Sequence, residues 1–254
     1  MNRFWRWSLQ WGQPAMLYQR LLRLQPWVAT LAIIFLLVGG YTAFWLAPAD
    51  YQQGEVFRIL YVHVPAAWLS MMVYGAMVGL ALLVFIWQVT IAGWAMKTFA
   101  WLGAGYTLIA LVTGAIWGQP TWGTWWVWDA RLTSELVLLF IYLGIVLIFD
   151  VLADARAAAR MAAILTLVGS VNLPIIHYSV IWWHTLHQPP SIRGLETSMH
   201  WSMLYPLLLM ALAFLLVFVW QVVWHLRCRV LMEARHTPWL AKRLRSLNQS
   251  GENG

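Results

Sequence analysis

Residues Trp122–Leu152 read "WGTWWVWDARLTSELVLLFIYLGIVLIFDVL". The second half, Leu136–Leu152, is a nearly unbroken apolar run with one charge, Asp150, close to its end. A helix crosses the hydrocarbon core with about 20 apolar residues, and a run slightly shorter still suffices. The run is therefore a membrane span. The first half connects it to another apolar run. Yet this connector holds four tryptophans within seven residues, Trp122, Trp125, Trp126 and Trp128, followed by Asp129, Arg131 and Glu135. Large aromatic side chains belong in a buried core, so their massing in a connector needs a separate reason.

The chain around this stretch has the same character. It is 62% hydrophobic and 10% charged, with mean hydropathy +0.67; a soluble domain carries about 25% charged residues. Six runs are long enough to span: Pro26–Leu46, Val64–Trp87, Thr98–Trp117, Leu136–Leu152, Met161–Trp183 and Trp201–Trp224. The predicted fold is an all-α membrane protein, a six-transmembrane-helix bundle with an outer tryptophan-rich loop. Its expected parts are a cytoplasmic N-terminal segment (1–25), a membrane domain (26–225) containing the loop 118–134, and a basic tail (226–254). The first 25 residues lack the short apolar stretch of a cleaved leader and read as a cytoplasmic segment.

Lysine and arginine orient the bundle. With the N-terminus inside, the inner segments carry Arg3, Arg6, Arg20, Arg23, Lys97, Arg156, Arg160, Arg227, Arg229, Arg235, Lys242, Arg243 and Arg245. The outer ones carry only Arg58, Arg131 and Arg193. Both termini are expected in the cytoplasm, and the net charge of +7 serves topology and membrane lipid, with no nucleic-acid partner. A single cysteine, Cys228, excludes an internal disulfide, a paired-cysteine zinc site and the C-x-x-C-H attachment of haem.

The tryptophan segment is thus the second outer loop. Ser134 is expected to cap the span that follows, with Glu135 in its first turn. Tryptophans at a membrane boundary form interfacial belts, which accounts for Trp5, Trp7, Trp87, Trp94 and Trp201. A dense cluster with Asp129 embedded also fits a platform for a flat apolar ligand, where ring faces stack and indole N–H groups bond its polar edge. The neighbouring outer segments add histidines. "FRILYVHVPAAW" (Phe57–Trp68) puts His63 at the outer mouth of the second span, with Pro65 expected in its first turn. "NLPIIHYSVIWWHTLHQPP" (Asn172–Pro190) delivers His177, His184 and His187. Neutral imidazole ligates iron, and haem is a flat apolar disc with an acidic edge.

"WGTWWVWDARLTSELVLLF" resembles the tryptophan-rich WWD motif of haem-handling proteins in cytochrome c biogenesis, and most specifically the CcmC family. The resemblance runs in order through "APADYQQG", "YVHVPAAW", "ALVTGAIWG", "VNLPIIHYSV" and "WWHTLHQ" and covers most of the chain. It implies a protein that binds haem b non-covalently at the outer face of the bacterial inner membrane. By motif the axial iron ligands would be His63 and His187. Trp122, Trp125, Trp126 and Trp128 would hold the ring, and Asp129 would fix the loop or pair with Arg131. Arg58 and Arg131 would neutralise the propionates, or else serve in plain ion pairs. The resemblance further implies haem transfer to a periplasmic chaperone, CcmE, which takes haem covalently, with help from a small membrane subunit, CcmD. An ABC module, CcmA and CcmB, would release the loaded chaperone. The chain has no G-x-x-x-x-G-K-[ST] sequence, so the ATPase is not its own. His184 fills a position the family leaves variable.

Two other functions compete. One is a haem permease subunit of an ABC-type exporter, opposed by the scarcity of ionisable residues at mid-depth. The other is an electron-transferring cytochrome b, which places its histidine pairs within helices. Among the remaining candidates, His177 or Asn172 is expected to satisfy backbone groups freed by Pro174. His200, His225 and His236 read as boundary or tail residues. Gly75 and Gly79 allow close helix packing, within the bundle or against a partner.

Overall fold

A computed structural model describes residues 14–183, 185–187, 192–193, 196–235 and 237–238. Seven α-helices account for most of them: α1 (Pro14–Tyr41), α2 (Leu60–Trp87), α3 (Thr90–Trp122), α4 (Ala130–Val151), α5 (Ala155–Gly169), α6 (Asn172–Trp182) and α7 (Trp201–Glu233). With their short extensions they make six segments long and apolar enough to cross a membrane, α5 and α6 sharing one. The chain is a multi-pass membrane protein. Two two-residue strands, β1 (Ile192–Arg193) and β2 (Glu196–Thr197), pair antiparallel before α7. Residues 1–13, His184, Gln188, Pro189, Pro190, His236 and the tail beyond 238 lie outside the described residues.

The helices overrun the apolar runs that announced them. Hydropathy measures the hydrocarbon slab, whereas a helix continues until its backbone finds a stop. Residues 14–25 belong to α1, continuous with the first span. Helix α3 passes Trp117 and ends only at Gly123, whose left-handed φ of 77° lets its N–H return to the Gln119 carbonyl at 2.9 Å. Trp122 is therefore a helical residue. The connector shrinks from the expected 118–134 to residues 123–129.

The next helix starts at Ala130, four residues before Ser134. Asp129 is its N-cap: extended in backbone, it accepts the Leu132 N–H at 2.8 Å. The expected cap, Ser134, instead lies in the second turn and donates to the Ala130 carbonyl at 2.6 Å. Aspartate wins because it precedes the helix with an ionised acceptor facing the orphan amides. Similarly, a 3₁₀ turn over Glu55–Ile59 leads into α2. Pro65 then falls sixth in the helix, beyond the first turn, and His63 lies within the helix rather than at its mouth.

Pro174 explains the break between α5 and α6. It cannot donate to the Ser170 carbonyl, which takes the Leu173 N–H at 3.1 Å instead. His177 is not the substitute donor; it sits exposed on α6 with its ring edge against Tyr178, the centroids 4.7 Å apart.

Packing centres on α2. Its buried face meets α3, α4 and α5 through Tyr74, Met77, Met96, Leu138, Tyr142 and Ala163. Small residues make the space: a Cβ on Gly103 would strike the Tyr142 ring, and one on Gly169 the Tyr74 hydroxyl. Those hydroxyls donate to backbone carbonyls, Tyr74 to Thr166 at 3.0 Å and Tyr142 to Ser70 at 2.7 Å. Bonds of this kind remove the penalty of a bare polar group in an apolar medium. Helix α1 lies along α7, with Gly39 close against Met210. Gly75 and Gly79 take no part in this packing; a Cβ on either meets nothing within 4 Å.

Candidate functional site

Two large cavities lie at opposite ends of the bundle. The larger, about 1050 Å³, is lined by the α2–α3 and α4–α5 connectors and the end of α7. Its one histidine among the described residues, His225, has Nδ1 2.8 Å from its own helix's Gln221 carbonyl. The other, about 720 Å³, is bounded by the Asp50–Gln53 turn, α2, the end of α3, the start of α4, and the approach to α7. His63, His187 and His200 all lie on its wall, with Trp117, Trp122 and Arg131. Chemistry rather than size therefore selects the second cavity.

His63 is fixed by α3. Its Nδ1 is 3.0 Å from the Ala110 carbonyl and 3.1 Å from Thr113 Oγ1. A carbonyl only accepts, so Nδ1 carries the proton and Nε2 keeps its lone pair. The Trp117 ring meets the imidazole edge-on at 5.7 Å. Gly114 leaves room for the ring: a Cβ there would stand 3.0 Å from His63 Cε1. Ala110, Gly114 and Trp117 recur at helical spacing on one face of α3.

The "APADYQQG" segment secures Trp117. Asp50 Oδ1 accepts the N–H groups of Gln52 and Gln53, both at 2.9 Å, and Gly54 closes the turn at a positive φ of 58°. The turn presents Gln53, whose side-chain oxygen accepts the Trp117 indole N–H at 2.8 Å.

His187 is held from the tryptophan segment. Its ring packs edge-on against Trp122 at 4.9 Å, and Nδ1 faces Asp129 Oδ2 at 3.6 Å. That separation is longer than a hydrogen bond. Burial pushes the Asp129 carboxyl up, but the facing imidazole and the N–H groups of Leu132 and Leu186 outweigh it. The carboxyl lies below its ordinary value. Asp129 thus caps α4 and faces His187 at once. The described residues make no hydrogen bond to Nε2 of either His63 or His187.

The four tryptophans do not share one surface. Only Trp122 lines the cavity. Trp126 is partly buried, packs against Trp128 at 5.3 Å, and has an indole N–H without a partner among the described residues. Trp125 and Trp128 are 61% and 74% exposed. The arginines also separate. Arg131 is on the wall, donating to the Ile176 carbonyl at 3.1 Å rather than pairing with Asp129. Arg58 pairs with Glu55, donates to the Ala43 carbonyl at 2.9 Å, and is off the wall. One turn below Arg131, Glu135 is buried at 8% exposure and accepts the Ser70 hydroxyl at 2.7 Å.

Sequence reasoning passed over Gly114, Trp117, Gln53 and His200. The first two had a signal in the helical spacing of "ALVTGAIWG". Gln53 and His200 had none, since each depends on a turn or cap visible only in three dimensions.

The profile of the family described as CcmC, heme exporter protein C, matches residues 7–241. Heme exporter protein C of Haemophilus influenzae is 46% identical over 237 residues, covering 93% of this chain and 96% of that protein. Its namesake from Escherichia coli K12 is 45% identical over 238 residues, with 94% and 96% covered. That of Bradyrhizobium diazoefficiens is 50% identical over 198 residues, with 78% and 75% covered.

Proposed function

The chain belongs to the CcmC family, and from that premise we propose that it binds haem b in the three-histidine cavity at the periplasmic face of the inner membrane. It presents that haem to the chaperone CcmE during cytochrome c maturation. His63 and His187 are the iron ligands. The observation that carries this reading is the hydrogen bond from His63 Nδ1 to the Ala110 carbonyl, which leaves Nε2 as a lone pair on a wall shared with His187. Metal-binding histidines typically have the second nitrogen bonded to a carbonyl or carboxylate. His63 faces a carbonyl and His187 a carboxylate.

The other residues fit the same cargo. Phe57, Leu60, Val64 and Leu207 give an apolar wall, Trp117 and Trp122 an aromatic one, and Arg131 a cation for a carboxylate. Iron supplies the bond to imidazole. The protein supplies position: α3 sets the His63 ring, and Asp129 sets His187. Exposed Trp125 and Trp128 provide an apolar rim on which a partner can close over the cargo. CcmD and the CcmA–CcmB module complete the assembly, and both termini lie in the cytoplasm.

Purified full-length protein decides the matter. With haem it should give a six-coordinate absorption spectrum. His63→Ala and His187→Ala should each shift it toward five-coordinate, and the double variant should lose most of the haem. His184→Ala should leave it unchanged. An unaltered spectrum in the double variant refutes the ligand assignment. Failure to crosslink haem to CcmE refutes the transfer role.

A further inference from the structure

The three imidazoles on the cavity wall are not equivalent. His200 is the N-cap of α7. Its Nδ1 accepts the Ser202 backbone N–H at 3.3 Å and lies 2.8 Å from the Ser202 hydroxyl. An amide N–H can only donate, so Nδ1 is here the lone pair. A neutral imidazole has one proton, which must then sit on Nε2. His63 is the reverse, because its Nδ1 faces the Ala110 carbonyl. The same residue type thus offers the cavity a lone pair at position 63 and an N–H at position 200. A lone pair ligates iron; an N–H bonds an acceptor.

The acceptor is suggested by a shortage. Haem brings two carboxylates, whereas Arg131 is the one lysine or arginine among the described side chains on this wall. Arg58 is engaged with Glu55 and the Ala43 carbonyl. Resting on the reading that the cavity holds haem, we infer that His200 is a specificity residue. It donates its Nε2–H to one ligand carboxylate, while Arg131 serves the other. The α7 cap holds the donor: ligation through Nε2 would require the ring to surrender the bond it accepts from the Ser202 backbone N–H.

The test uses the full-length chain in detergent and two probes, ferric haem and ferric haem dimethyl ester, which lacks free carboxylates. His200→Ser keeps a capping side-chain oxygen but ends at Oγ, well short of the place of the imidazole Nε2, so no donor remains at the ligand. Loss of one hydrogen bond to a charged acceptor is expected to weaken haem binding about tenfold. Binding of the ester should be unchanged, with the six-coordinate spectrum and melting temperature retained. Equal weakening of both probes, or of neither, overturns the inference and leaves His200 as a cap. A shift toward five-coordinate iron overturns it in favour of His200 as a ligand. If wild-type protein binds neither probe, the haem reading itself falls and this inference with it; a wild type that binds haem with His63→Ala without spectral effect removes the ligand assignment alone.

Discussion

Gly114→Ala tests whether the His63 ring must lie flat against α3. The added Cβ would stand 3.0 Å from His63 Cε1 and 3.5 Å from Nδ1. Carbon atoms prefer roughly 3.5–4.0 Å, so the ring must retreat by about half an ångström or more. Retreat stretches the 3.0 Å bond from Nδ1 to the Ala110 carbonyl. It also moves Nε2, the proposed ligand atom. Overpacking of this size costs about 1–3 kcal/mol. Against that, alanine favours the helix over glycine by about 1 kcal/mol. Overall stability should therefore change by no more than about 1–2 kcal/mol, while the ligand atom bears the displacement. Haem affinity should fall about tenfold or more, with the spectrum moving toward five-coordinate iron. Gly75→Ala is the control, since its Cβ meets nothing within 4 Å, and it should leave binding intact. Haem titration followed by absorbance, alongside thermal melts of the same samples, reads both quantities. If Gly114→Ala binds haem with wild-type affinity and spectrum, the ring is not held as argued.

Asp129→Asn should retain the α4 cap, because asparagine caps as well as aspartate, yet remove the charge facing His187. We expect weaker haem binding and a slightly lower melting temperature from loss of the charge, whereas Asp129→Ala should lose about 1 kcal/mol more with the cap. The folded Asp129 carboxyl lies below its ordinary value of about 3.9. Its stabilisation is thus complete above that pH and is lost as pH falls through the folded value; melts between pH 7 and 5 should show no Asp129-dependent change, and a difference between wild type and Asp129→Asn that collapses within that range would contradict the depressed value. Trp125→Ala and Trp128→Ala should leave the melt and haem spectrum alone, because both side chains are mostly exposed, but together they should reduce transfer to CcmE; normal transfer in the double variant would reduce them to membrane anchors. A periplasm-dependent reporter fused after Gln53 or Gly123 should be active and one after Leu152 inactive, and the reverse pattern would put the cavity on the cytoplasmic side.

The six spans were legible because hydrocarbon imposes a single demand, apolar length, that composition reports directly. Helix ends were less so. Thr90 and Trp122 bound α3 where hydropathy suggested Thr98 and Trp117, since polar and aromatic residues at an interface can stay helical once the helix is nucleated. Choosing Ser134 over Asp129 as the cap was the same error at another end. It mattered more, because the misplaced cap is also the residue that faces His187.

The candidate site was legible as letters and not as chemistry. His63 and His187 stand out in the sequence, and they do share a wall. Nothing in the chain order says that Ala110 will offer a carbonyl to one ring, Asp129 a carboxylate to another, and Ser202 an amide to a third. Those three partners come from a helix face, a helix start and a helix cap, separated from their histidines by 47, 58 and two positions. The carbonyl behind His63 and the amide behind His200 each decide where a proton sits, and hence which nitrogen is free. An imidazole on a cavity wall is a ligand or a donor according to the backbone group behind it, so the chemistry of this site is written in helix ends more than in its histidines.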